Sequence, residues 1–267
     1  MMVFPLYFWL LFAAALLISA IGFKKYVWFI SIGYGFSIAG EGILMLILFG
    51  LDQKLTLGTV ICCALLTVYG CRLGGYLAYR EMKVASYSRN MTGEIKKDVP
   101  MGVKVAIWIA CALLYVLEVL PVFYRLHNGS GSNAWTYIGA AVMLSGIILE
   151  SAADIQKSKA KKANPKRFVD TGLYRLVRCP NYFGEILLWT GVVLSGIGSV
   201  HGWQWVPCLL GYVGIIFVMF SGARRLEIRQ NKNYGSDPEY REYVKTVPIL
   251  VPFIPLYSVE KYKWLVA

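Results

Sequence analysis

Seven long apolar runs, at residues 3–22, 27–50, 55–79, 102–122, 134–151, 182–200 and 203–222, constrain this chain more than any other feature. Each approaches or exceeds the roughly 20 residues that a helix needs to cross bilayer hydrocarbon. The run at 182–200 is the weakest, being short and rich in glycine. Only 16% of the residues are charged and 57% are hydrophobic, whereas an ordinary soluble domain carries roughly 25% charge. The pattern predicts an all-α integral membrane protein with seven transmembrane helices in a single domain over residues 1–267.

Charge placement supports that count and orients it. With seven spans, one side receives Lys24 and Lys25, then Arg80, Lys83, Arg89, Lys96, Lys97 and Lys104. The same side takes the basic loop at 152–180 and the tail with Arg224, Arg225, Arg229, Lys232, Arg241, Lys245, Lys261 and Lys263. The other side receives only Lys54 and Arg125. This excess places the N-terminus outside and the C-terminus in the cytoplasm. The net charge of +12 is then a topogenic excess drawn toward anionic lipid, and no nucleic-acid partner is needed to explain it. The first run has no basic segment before it, and its lysines follow it, so it reads as a retained helix and not a signal peptide. A multi-pass protein of a bacterial inner membrane or of the endoplasmic reticulum shows this pattern, and no obligate protein partner is evident.

The six cysteines include no C-x-x-C pair, which argues against a disulfide scaffold and a zinc site. The two histidines, His127 and His201, fall on the non-cytoplasmic side, away from the polar motifs, so no metal is expected. No glycine-rich phosphate loop is present either.

Three polar constellations remain. Residues 172–185 crowd Tyr174, Arg175, Arg178, Asn181, Tyr182 and Glu185 around Pro180, where a positive loop enters an apolar run. Polar groups that must be partly dehydrated serve a ligand or one another. Pro180 suits the first turn of a helix, whose N–H groups favour a phosphate or carboxamide oxygen. Tyr174, Arg178 and Tyr182 form a further series if that helix extends backwards. Upstream, Glu150, Asp154, Lys157 and Lys161 fall at i, i+4, i+7 and i+11, one stripe of a helix leaving the fifth span; a solvated helix end with internal ion pairs explains it equally well. Deeper, Glu41 interrupts the second span, and Tyr69 and Arg72 interrupt the third. An ionisable group within a span is a functional hypothesis by default, although Arg72 and Glu41 could simply pair. Glu118 reads as structural or interfacial.

The block Glu150-x-x-x-Asp154-x-Gln156-Lys157, then Gly172-Leu173-Tyr174, then Pro180-Asn181-Tyr182-Phe183-Gly184-Glu185 resembles the steroid 5α-reductase family. Tyr234-Gly235, Tyr240-Arg241-Glu242-Tyr243 and Val251-Pro252-Phe253-Ile254-Pro255 extend the likeness over about 140–265, and Tyr69-x-x-Arg72 adds to it upstream. The resemblance implies an NADPH-dependent reductase that saturates the C=C bond of an α,β-unsaturated ketone in a lipophilic, steroid-like substrate. Residues 1–130 would supply the substrate-side helices and 131–267 the cofactor-binding part. Tyr69 and Glu41 would bind the substrate carbonyl, with Arg72 orienting. Cofactor contacts would fall to Asp154, Arg167, Asn181 and Glu185, then to Glu150, Lys157, Lys161, Tyr174, Arg178, Tyr182, Arg224, Arg225 and Tyr234. Isoprenylcysteine carboxyl methyltransferases have a similar Gly-x-Tyr-x-x-x-Arg approach to a proline–tyrosine helix start. They typically carry His where Cys179 stands, and they lack the Asn-Tyr-Phe-Gly-Glu continuation. Methyl transfer from S-adenosylmethionine is the alternative reading, and a non-catalytic lipid-binding membrane protein is the third.

Overall fold

A computed structural model describes residues 4–83 and 99–265; Arg89, Lys96 and Lys97, used in the charge argument, lie outside the described residues. All regular structure among the described residues is helical. The α-helices are α1 (Leu6–Ser19), α2 (Ile32–Leu51), α3 (Leu57–Lys83), α4 (Met101–His127), α5 (Ala134–Ala163), α6 (Pro180–Gly196), α7 (Trp205–Tyr234) and α8 (Pro238–Thr246).

Six segments among the described residues are long and apolar enough to cross a bilayer: Leu6–Phe23, Tyr26–Leu51, Leu57–Lys83, Met101–His127, Ala134–Ala163 and Gly202–Tyr234. These are the helices of an all-α membrane protein. The run expected at 182–200 forms α6, whose 17 residues make it shorter than any of the six. At about 1.5 Å per residue it falls a few ångströms short of the roughly 30 Å hydrocarbon layer. Helices α5 and α7 run farthest past their apolar stretches: α5 continues from 151 to Ala163 and α7 from 222 to Tyr234. Lys, Gln, Glu and Arg dominate those extensions, and these residues propagate helix well in water.

The chain divides into two compact units, Met1–Ala140 with Val192–Tyr212, and Ala141–Gly191 with Val213–Ala267. In the first, α2 and α3 approach backbone to backbone. A Cβ on Gly35 would meet the Gly74 amide nitrogen at 2.4 Å, one on Gly70 the Ala39 nitrogen at 2.4 Å, and one on Gly42 the Cys63 carbonyl oxygen at 2.8 Å. Small residues at such crossings are how membrane helices gain van der Waals contact where lipid offers no hydrophobic drive.

Arg125, one of the two charges that the sequence assigns to the sparsely charged side, is buried. Its Nε donates to the Ser195 carbonyl at 2.6 Å, Nη1 to that of Gly131 at 2.6 Å and Nη2 to that of Ile197 at 2.7 Å. It thus caps the C-terminal end of α6, where carbonyls lack intrahelical partners and a cation meets the negative end of the helix dipole. His127, the last residue of α4, stacks on Phe123 with ring centroids 5.9 Å apart.

In the second unit, α5 and α6 touch through Gly146 and Gly184. The residues after α8 fold back as a strap whose Ile249, Leu250, Val259 and Leu265 pack with Cys179, Ala223 and Leu226 in one buried cluster. Asp237 caps α8 by accepting from the Glu239 amide, with Pro238 in its first turn.

Candidate functional site

The deeper constellation sits on the glycine-lined contact of α2 with α3. Glu41 and Tyr69 are both 0% exposed. Glu41 lies between Ala39 and Gly42, two of the α2 positions that approach the α3 backbone. Neither of its carboxyl oxygens has a hydrogen-bond partner among the described residues, so the pair with Arg72 that sequence left open is not formed. A buried acceptor without a donor costs about 1–3 kcal/mol, more for a charged group, and calls for an explanation such as a ligand that completes it. The Tyr69 hydroxyl lies 3.3 Å from that of Tyr34. Arg72 is turned toward Tyr76, its guanidinium carbon 5.8 Å from the ring centre, and Arg80 approaches the same ring at 5.4 Å.

The second constellation gathers at the start of α6. The helix does begin at Pro180, and the 150–161 stripe is carried on one continuous helix. The backward extension through Tyr174 and Arg178 does not occur. Gly172 has φ of +62°, and a Cβ there would meet Gln156 Oε1 at 2.4 Å. That oxygen accepts from the Leu173 amide at 2.9 Å, holding a short 3₁₀ turn, Gly172–Arg175, in place of helix. The Arg178 and Cys179 amides then donate to the carbonyls of Pro248 and Ile249 at 2.9 and 3.0 Å, so the strap takes up the donors that a longer helix would have used internally.

The Gly146–Gly184 contact brings Glu150 against α6. A Cβ on Gly184 would lie 2.7 Å from the Glu150 nitrogen, so Glu150 abuts α6 beside Glu185. Glu150, Asp154 and Glu185 are all buried. Asn181 is half-buried, and its Oδ1 is buried without a partner among the described residues. The Tyr182 ring lies over Gly222 of α7. Tyr174 donates to the Ala153 carbonyl at 3.3 Å and accepts at its own carbonyl from Tyr243 at 2.7 Å.

Several basic candidates are committed to protein partners. Arg178 is buried and donates through Nη2 to Glu227 Oε1 at 2.8 Å and to the Tyr257 carbonyl. Glu227 Oε2 accepts from the Val259 amide at 2.8 Å, so one ion pair pins the strap to the mouth of α6. Arg167 is exposed and paired with Glu239 at 2.6 Å and Asp170 at 2.8 Å; the Glu239 hydrogen bond, then the Asp170 charge, hold its guanidinium above the usual range. Lys161 donates to the Arg167 carbonyl and to Tyr234 Oη, the latter at 2.7 Å, with its ammonium 5.0 Å from that ring centre. Arg224 holds the strap carbonyls of Glu260 and Leu265 at 3.0 Å each. Lys157 is half-buried and Arg225 is exposed. A separate cleft of about 260 Å³ is lined by Arg175, Leu176, Thr246, Pro248, Phe253 and Ile254 among others, and takes only Arg175 from the 172–185 constellation.

Sequence reasoning missed Glu227, Tyr34 and Phe168, whose ring packs on Tyr240 and Tyr243 with centroids 5.2 and 5.4 Å apart. Glu227 carried a signal, being the one carboxylate among Arg224, Arg225 and Arg229.

The residues of the α6 mouth fit a pyridine dinucleotide in kind. The Asn181 amide oxygen, without a partner among the described residues, suits a carboxamide N–H, and the exposed Arg225 suits phosphate oxygens. Residues 18–247 match the model of a family described as "Protein of unknown function (DUF1295)". The chain is also similar to the Arabidopsis thaliana protein "Steroid 5-alpha-reductase DET2", at 28% identity over 124 residues, 45% of this chain and 42% of that relative. The match thus spans less than half of the relative's length.

Proposed function

The chain belongs to the DUF1295 family, and on that premise we propose that it is an NADPH-dependent membrane reductase that saturates the C=C bond of an α,β-unsaturated ketone in a lipophilic, steroid-like substrate. The observation that carries this reading is the buried Glu41 carboxyl, without a hydrogen-bond partner among the described residues, on a helix packed directly against that of the buried Tyr69. The name of the plant relative gives the reaction class its direction.

NADPH, when bound, would supply the hydride that the β-carbon of the enone takes up. Negative charge then develops on the carbonyl oxygen, and a neutral phenol aimed there stabilises it as an oxyanion-hole donor does. Tyr69 takes that role, Glu41 orients the phenol or shares its proton, and Arg72 tunes the pair. A proton from the Tyr69/Glu41 pair, passed on to the α-carbon, would complete the two-electron reduction. Asp154, Arg167, Asn181 and Glu185 would hold the cofactor, with Glu150, Lys157, Lys161, Tyr174, Arg178, Tyr182, Arg224, Arg225 and Tyr234 as further contacts. The reading includes seven spans, with α6 as the short one, the N-terminus outside and the C-terminus cytoplasmic. Substrate would enter from lipid and NADPH from the cytoplasm.

The test is thermal unfolding of the detergent-purified protein with NADPH, NADH or S-adenosylmethionine. A ligand at 100 times its Kd adds about 2.7 kcal/mol to stability. Stabilisation by NADPH is expected, lost in Asn181→Ala and Asp154→Ala and kept in Tyr69→Phe, which should bind cofactor and turn over a lipophilic enone poorly. Stabilisation by S-adenosylmethionine alone overturns the reading, and a C-terminal tag reachable only from outside the cell overturns the orientation.

A further inference from the structure

We propose that Tyr34 is a positioning residue for Tyr69, the second link of a two-phenol chain that aims and polarises the donor hydroxyl; the inference rests on the reductase reading above. Both phenols are buried and their hydroxyl oxygens are 3.3 Å apart, with ring centroids 6.4 Å apart at 75°. Nothing in the chemistry of a hydrophobic helix pair demands two tyrosines that meet oxygen to oxygen.

Tyr34 is itself held in place. Its ring packs on that of Tyr115 at 5.1 Å, and the buried Tyr115 hydroxyl donates to the Phe29 carbonyl at 2.5 Å. Three aromatic rings from α2, α3 and α4 therefore form one supported group. Tyr34 also lies two helical turns before Glu41, at i and i+7, on the same face of α2.

The hydrogen-bond count decides what this contact does. A phenol has one proton to give and lone pairs to accept with. If Tyr69 spends its proton on a substrate carbonyl oxygen, the bond between the tyrosines must run from the Tyr34 hydroxyl to the Tyr69 oxygen. That direction stops the Tyr69 hydroxyl rotating away from the substrate. It also draws charge from the Tyr69 oxygen as the carbonyl oxygen becomes negative, since linked hydrogen bonds polarise one another in a low-dielectric site. Tyr34 touches no reacting atom and acts through Tyr69.

A double-mutant cycle on the full-length protein with NADPH and a lipophilic enone tests this. Tyr34→Phe keeps the ring against Tyr115 and removes one oxygen. It should lower kcat on the order of tenfold, the worth of one neutral hydrogen bond made stronger in the transition state, while KM, the melting temperature and stabilisation by NADPH stay at wild-type values. The double variant with Tyr69→Phe should be no slower than Tyr69→Phe alone, because the two residues act as one unit. Tyr34→His, which returns a ring N–H donor, should fall between wild type and Tyr69→Phe and show the same non-additivity. Wild-type kcat in Tyr34→Phe, or additive losses with Tyr69→Phe in either variant, overturns the inference and leaves the reductase reading intact. A wild-type protein that neither reduces enones nor is stabilised by NADPH overturns the reading, and the inference with it.

Discussion

Adding one methyl group at Gly184 should loosen the protein and weaken the site at the same time. In Gly184→Ala the new Cβ would lie 2.7 Å from the Glu150 nitrogen and 2.8 Å from both the Glu150 Cβ and the Gly146 carbonyl oxygen. Ordinary contacts of a carbon atom are near 3.5–4.0 Å, so α5 and α6 must part by roughly 0.7–1 Å. Most of the opposing atoms are backbone and cannot swing aside. Overpacking of this kind costs about 1–3 kcal/mol, while replacing a helical glycine by alanine returns up to about 1 kcal/mol. The net loss of about 1–2 kcal/mol corresponds to a melting temperature lower by about 3–6 °C for a chain of this size. Because Glu150 is the residue pushed and Asn181 and Glu185 flank the glycine, the same displacement should reduce enone turnover by on the order of 100-fold. Gly75→Ala is the control, since a Cβ there meets nothing within 4 Å; it should melt at or slightly above wild type. The measurement is differential scanning of both variants with and without NADPH. If Gly184→Ala melts with Gly75→Ala and retains full NADPH stabilisation and turnover, the close helix contact and its link to the site are wrong.

Two further outcomes follow from the second unit. Removing one member of the buried Arg178–Glu227 pair strands the other, so Arg178→Ala or Glu227→Ala should cost about 3–5 kcal/mol. Limited proteolysis should then cut the strap between 249 and 265 first. The apolar replacement Arg178→Met with Glu227→Leu should recover much of the stability, and protease resistance in both single variants would refute the pinning role. Burial pushes the Tyr240 phenol up to about 12 from its ordinary 10.0. The folded state then holds a proton that the unfolded chain releases, so this stabilisation is complete below pH 10 and is lost as pH rises toward 12. The melting temperature should fall across that window, less steeply in Tyr240→Phe; equal slopes would show that Tyr240 does not contribute.

The helices and the start of α6 were legible in the sequence because both depend on local chemistry: apolar runs for one, a proline preceded by a polar loop for the other. The lengths of α5 and α7 were not, because apolarity marks where helix meets lipid and says nothing about where charged helix ends. Basic residues posed a different difficulty. Charge type is visible in sequence, but partnership is not, and the carboxylate that holds Arg178 lies 49 positions away. The same blindness hid Arg125, whose partners are all backbone carbonyls and so leave no side-chain signature. Glu41 was found because a carboxylate in an apolar run is conspicuous, whereas Tyr34 was one of 18 tyrosines and was distinguished only by its neighbour.

The strap also sets an order of events during synthesis. The mouth of α6 draws its backbone partners from Pro248 and Ile249, and the Arg178–Glu227 pair is completed by Tyr257 and Val259. The residues that close the polar end of α6 and α7 are therefore synthesised after both helices. Until Val259 is in place, Glu227 has Arg178 beside one oxygen and lacks the amide that fills the other in the folded chain. Quality-control factors that survey nascent membrane proteins for exposed charge would find this polar end recognisable until the strap docks, and inconspicuous from then on.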